Sequence, residues 1–178
     1  MDYANDQNTP FIQRPGAMKR LAVVVGGGML LLIVGLIAFS AVFGTGDQEL
    51  AMDQSISRLQ IVDGIADLAS SYSDDPYVEN TAASASALSK THINDLRQIK
   101  IEVYGADFTA VAPDLTKQDA ELDEATKNGT QNELAADFIE QSLQGAINEL
   151  ANLQSQLPAA YHQQLKDMRS DLAVLLAD

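Results

Sequence analysis

From Met52 to Leu175 the large apolar residues recur at steps of three and four, and this periodicity constrains the fold more than any other feature of the chain. Such steps line up side chains on one face of an α-helix, whereas a half-buried strand needs alternation at every second residue. Met52, Ile56, Leu59, Val62, Ala66, Ala69 and Tyr72 predict a first helix over residues 48–72. Val78, Ala82, Ala85, Ser89, His92, Leu96, Ile99 and Val103 predict a second over 76–104, with Asp75 as its N-cap and Pro76 at its first position. A loop from Gly105 to Pro113 follows, carrying Phe108 and Val111. A short acidic helix near 114–127 then ends at Asn128-Gly129. Thr130 and Glu133 have the spacing of a capping box for a further helix bearing Ile139, Leu143, Ala146, Leu150, Leu153 and Leu157. Pro158 sets the start of a last helix with Tyr161, Leu165, Met168, Leu172 and Leu175. The expected fold is all-α: an antiparallel bundle of four long helices with one short accessory helix.

Ahead of this periodic region lies a segment of a different kind. Leu21 to Phe43 holds 23 residues and no charged side chain. As a helix it would span about 35 Å, enough to cross the ~30 Å hydrocarbon core of a bilayer with some tilt. Arg14, Lys19 and Arg20 precede it, and Asp47, Glu49 and Asp53 follow it. Basic flanks stay in the cytoplasm, so the expected topology is N-terminus inside and the helical domain outside, with the lipid bilayer contacted through Leu21 to Phe43. Two processing patterns overlap the segment. Ala38-Phe39-Ser40 before Ala41 meets the small-residue rule for signal-peptide cleavage, and Gly28-Met29 would be the cut of a prepilin. The apolar run exceeds the roughly 7–15 residues of a cleaved signal, and Leu30–Ile37 lacks the early acid of a pilin helix, so an uncleaved anchor is the preferred reading. The resulting organisation is a cytoplasmic tail at 1–20, a transmembrane helix at 21–43, a linker at 44–47 and an extracytoplasmic bundle at 48–178.

Charge follows the same division. Residues 45–178 contain 23 of the 25 acidic residues and eight of the 11 basic ones, a net charge of −15. Nucleic acid is therefore not an expected partner, because phosphate recognition needs clustered Lys and Arg. The absence of cysteine excludes disulfides, thiol nucleophiles and Cys-ligated metal sites.

No sequence pattern supplies a catalytic, cofactor-binding or metal-ligating set. His92 falls on the apolar stripe of its helix, where an imidazole could serve as a ligand or a pH-sensitive group. Ser89 and Ala159 stand three residues before His92 and His162, so neither forms the Glu-x-x-His pair of bundle di-metal sites. His92 is read as a packed residue at the core edge. Asp119, Glu121, Asp123 and Glu124 lack the central Gly of a calcium loop and read as a solvated helix face. There is no nucleophile elbow, P-loop, dinucleotide fingerprint or H-E-x-x-H. An enzyme is not expected, and no cofactor is.

Lys19-Arg20 with the anchor, and the helical hairpins around Leu59–Ala69, His92–Leu96 and Leu143–Leu157, give the chain a recognisable outline. It loosely resembles uncharacterised single-pass, membrane-anchored bacterial envelope proteins of candidate-phylum type with a ferritin-like helical-hairpin domain. The resemblance implies an extracytoplasmic module acting through protein–protein interaction, with another envelope protein or by self-association. Two alternatives stay open at this point: a ligand- or stress-sensing accessory subunit, and a pilin-like assembly subunit.

Overall fold

The computed structural model describes residues 46–177. The expected tail and transmembrane segment, with the start of the linker, lie outside the described residues. Helix α1 (Gly46–Tyr72) is followed after three residues by α2 (Pro76–Tyr104). Asp75 causes the restart. It adopts an extended backbone (φ −85°, ψ 118°), and its carboxylate accepts the Tyr77 N–H at 2.8 Å while Pro76 occupies the first turn, where no backbone donor is needed. A three-residue connection forces α1 and α2 to lie side by side and antiparallel. Gly105, at φ 70°, ends α2 by turning its N–H back to the Ile101 carbonyl.

Helix α3 (Thr116–Asn128) starts two residues later than expected, because Asp114 accepts both the N–H and the hydroxyl of Thr116 in a local turn. Its end explains a second departure. Gly129 takes φ 73°, and the N–H groups of Gly129 and Thr130 return to Thr126 and Ala125 in a Schellman arrangement. Thr130 is thus part of the C-terminal cap of α3. Its backbone (φ −116°, ψ 14°) is not the extended form that aims a hydroxyl into the next helix, and its side chain makes no cap hydrogen bond. The expected capping box does not form. Helix α4 (Gln131–Gln156) nevertheless begins at the expected place. A single 3₁₀ turn (Ala159–Tyr161) then leads from Pro158 into α5 (His162–Val174).

The order of the helices in space follows from their cross-links. Ser73 and Asp74, just past α1, both hydrogen-bond the Asn132 side chain at the start of α4, and Tyr72 donates to Asp119 at 2.8 Å. At the opposite end Tyr161 approaches Glu102 at 3.5 Å, and Arg169 of α5 donates to Gln154 of α4 at 3.0 Å. Helix α4 therefore runs antiparallel to α1 and in the same direction as α2, and α5 returns beside α4. The connection from α2 to α4 must climb the length of the bundle, and it does so across Gly64 of α1. A Cβ there would lie 2.8 Å from Leu115 Cδ1 and 3.3 Å from the Pro113 ring, so the missing side chain makes room for the crossover.

The described residues form an all-helical bundle, as the periodicity predicts, with four helices around the core and α3 as accessory. Helices α2 and α4 run in the same direction, and each is antiparallel to α1, as α4 is to α5. The expectation of four long helices is corrected at the last one, since α5 spans 13 residues against 26 for α4. The core is the set of anticipated stripes: Met52, Ile56, Leu59, Val62, Leu96, Leu143, Leu150, Leu153, Leu165 and Leu172 are fully buried. Leu143→Ala is expected to destabilise the fold by about 2–5 kcal/mol through lost transfer energy and a residual cavity. Leu50→Ala, at a side chain 45% exposed, should stay within about 0.5 kcal/mol of wild type. Urea titration of the two variants, followed by helical circular dichroism, checks the contrast.

Candidate functional site

The stripe of α2 carries two polar side chains into the core. Ser89 is fully buried and His92 is 4% exposed, one helical turn apart. Neither ring nitrogen of His92 nor the Ser89 hydroxyl has a hydrogen-bond partner. The other interior serines differ, since Ser55 and Ser142 each donate to a carbonyl of their own helix. Across the gap, Asp171 of α5 brings Oδ2 to 3.6 Å from His92 Nε2, too far for a hydrogen bond. Burial pushes the imidazole pKa below its ordinary 6.5, against the pull of the Asp171 and Asp95 charges. At neutral pH His92 is thus a neutral, packed side chain. Ser, His and Asp are all present, but without a serine–histidine hydrogen bond or access for a substrate they do not form a nucleophile–base pair.

Other residues singled out in the sequence are dispersed. His162 Nε2 lies 2.9 Å from the Leu157 carbonyl and closes the turn between α4 and α5. On α3, Asp119 accepts from Tyr72, Glu121 faces Lys117 at 3.5 Å and Asp123 holds Lys127 at 2.6 Å. Among the described residues no three His, Cys, Asp or Glu side chains converge in a way that could hold a metal ion.

A cluster at the start of α1 was not anticipated. Lys100 is 3% exposed and sits between Asp53 Oδ1 at 2.5 Å and Glu49 Oε1 at 3.4 Å. Burial alone would lower its pKa, but the hydrogen bonds and charges of Asp53 and Glu49 outweigh this and raise it. Its ammonium also lies 6.0 Å from the Phe108 ring centre, which folds that loop side chain against the bundle while Val111 stays 71% exposed. The loop is held at its start by Arg97, whose guanidinium grips both oxygens of Asp107 at 2.9 and 2.5 Å. This pair, with the Phe108 N–H, holds the Asp107 carboxyl down at about 2. The sequence did carry a signal for Lys100. It stands four residues beyond Leu96 and so shares the core face of α2. At the far end of the bundle a cavity of about 140 Å³ lies between Val78, Ile139, Leu143, Leu175 and Leu176, with Glu140 on its rim. Tyr77 and Thr81 also line it, so its walls are polar as well as apolar.

Comparison with models of protein families, with curated proteins and with solved structures finds no match for the chain.

Two outcomes follow from the buried polar groups. Folding lowers the His92 pKa, so the unfolded chain binds a proton more readily below about pH 6.5, and acid favours unfolding in that range. His92→Leu should reduce the fall in urea midpoint between pH 7 and pH 5; an unchanged pH slope would show that the imidazole is not the group responsible. Removing both partners of Lys100, in Glu49→Gln/Asp53→Asn, leaves a buried ammonium without its anions. The cost should be about 2–3 kcal/mol, between the ~1 kcal/mol of an exposed pair and the ~3–5 of a fully buried one. Lys100→Met, which removes the charge itself, should cost less than the double variant in the same denaturation assay.

Proposed function

We propose that the chain is a membrane-anchored, non-enzymatic interaction module of the cell envelope. In this reading Leu21–Phe43 spans the membrane, the 20 residues before it stay in the cytoplasm and the helical domain works on the outer side. The observation that carries the proposal is the charge asymmetry about the uncharged run. Residues 1–44 carry three basic and two acidic residues against the −15 of the rest, with the bases directly before the run. Among the described residues no helix is long and apolar enough to cross a membrane, so the reading assigns the spanning role to residues 21–43 alone.

The domain supports an interaction role through what it offers to solvent. Its stripes are used up in the core, and its outer surface is largely polar, acidic and helical, with Leu50, Tyr77, Ile101, Val111 and Val174 as its exposed large apolar side chains. Anchoring would keep this surface at high effective concentration near another membrane protein or a second copy. The cavity beside Val78 and Leu176 favours one second reading, an accessory subunit that senses a small ligand.

The chain has no cysteine of its own, so single introduced thiols report topology cleanly. Ser155→Cys, on an exposed face of α4, should react with a membrane-impermeant maleimide on intact cells, and Ala4→Cys only after permeabilisation. Labelling in the reverse order, or recovery of the whole chain in the soluble fraction, would overturn the proposal.

A further inference from the structure

Basic side chains are scarce in this domain, and most are neutralised internally. Of the eight in the described residues, Lys90, Arg97, Lys100, Lys117 and Lys127 each face a carboxylate. Arg58, Lys166 and Arg169 have no acidic partner among the described residues. Two of these three lie together, in a groove of about 320 Å³ between α4 and α5 lined by Ile147, Gln154, Lys166, Arg169, Ser170 and Ala173. In a domain of net charge −15, this groove thus brings together two cations that pair with no carboxylate, on a helix whose Asp167 and Asp171 balance them in number. The Arg169 guanidinium is held in place there. One of its terminal nitrogens donates to Gln154 at 3.0 Å, and its Nε is buried without a hydrogen-bond partner.

We infer that this groove is the docking face of the domain and that its occupant is an acidic helical segment of a partner protein. The inference rests on the interaction reading above and names the partner's chemistry. Ile147 and Gln154 on α4, and Lys166 and Ala173 on α5, are each seven residues apart, so each wall of the groove extends about 10 Å, or two helical turns. Lys166 and Arg169 are one turn apart, which matches the ~5–6 Å spacing of two carboxylates at i and i+3 or i+4 on a docked helix. Ser170 adds a hydroxyl, and Ile147 and Ala173 add a small apolar surface beside the polar contacts. Free small anions gain only the two cations against the repulsion of the whole domain. A segment belonging to a larger protein also gains the apolar contact and the proximity that a shared membrane provides. A second copy of this chain would bring a further −15 to the encounter and is disfavoured.

The test uses the full chain in cells, with a photo-crosslinking phenylalanine placed at Ser170 or, on the opposite surface, at Glu124, and with the crosslinked peptides sequenced by mass spectrometry. The expected result is capture through Ser170 of a segment from another protein bearing two acidic residues within one turn. Lys166→Gln/Arg169→Gln should lower the yield roughly ten-fold, the loss that one or two screened charge contacts give, with helical content unchanged. The charge-conserving Lys166→Arg should retain it. A yield unaffected by the double Gln variant, a captured segment without acids, or capture of a second copy would overturn the inference. Capture through Glu124 but not Ser170 would overturn the groove and leave the interaction reading standing, whereas capture through neither would overturn both.

Discussion

The arrangement depends on the burial of one helix. Met52, Ile56, Leu59 and Val62 of α1 have no exposed surface, and Ala66 and Ala69 are 1% exposed. Burying a stripe of this length is favourable at about 25 cal/mol per Å² of apolar area, and one neighbouring helix cannot cover it. Helices α2 and α4 cover it from two sides, both running opposite to α1, and α5 completes the core with Leu165, Met168 and Leu172. Alanines at 66, 69, 82 and 85 permit close approach toward the end where α1 turns into α2.

That demand on α1 has a topological consequence. With α2 and α4 both antiparallel to the same helix, the chain must travel back along the bundle before α4 can begin. The segment from Gly105 to Thr130 makes the journey, anchored at its start by Arg97–Asp107 and by Phe108 over Lys100, seated on Gly64, tied by Tyr72–Asp119 where α3 begins, and followed at once by the Asn132 bonds to Ser73 and Asp74. These polar and glycine contacts individually contribute little at exposed positions. Their role is to fix the path of a connection that has little apolar surface to bury, since α3 puts only Leu122 and Ala125 into the interior.

The helices themselves were legible because one physical effect, burial of a face, sets both the periodicity and the fold. The stripes from Met52 to Ala69, Val78 to Ile99 and Ile139 to Leu157 all point inward, and Asp75-Pro76 starts α2 as its local chemistry requires. Direction was not legible. Nothing in the spacing of Leu143 or Leu150 states whether α4 runs with α2 or against it, since a stripe reads the same both ways. Thr130 misled because two helices are separated by so little chain that its backbone is already committed to the cap of the first. Lys100 was passed over because a lysine on a core face is costly unless paired, and its partners lie 47 and 51 positions away in the sequence. The α4–α5 groove was invisible for a similar reason: which cations lack a carboxylate is a property of the folded surface.

The central structural claim is that α4 starts beside the end of α1, which requires the crossover and the parallel course of α2 and α4. Electron–electron resonance distances between spin labels attached to introduced cysteines test it directly, in a chain that has no cysteine to interfere. Labels at Ser71 and Glu133 should be close, within about 20 Å, because Ser73 and Asn132 are hydrogen-bonded nearby. Labels at Ser71 and Ser155 should be farther apart, since 22 residues of α4 separate Glu133 from Ser155, about 33 Å of helix. A short distance from Ser71 to Ser155 with a long one to Glu133 would mean that α4 runs parallel to α1, and the account of the fold would fail.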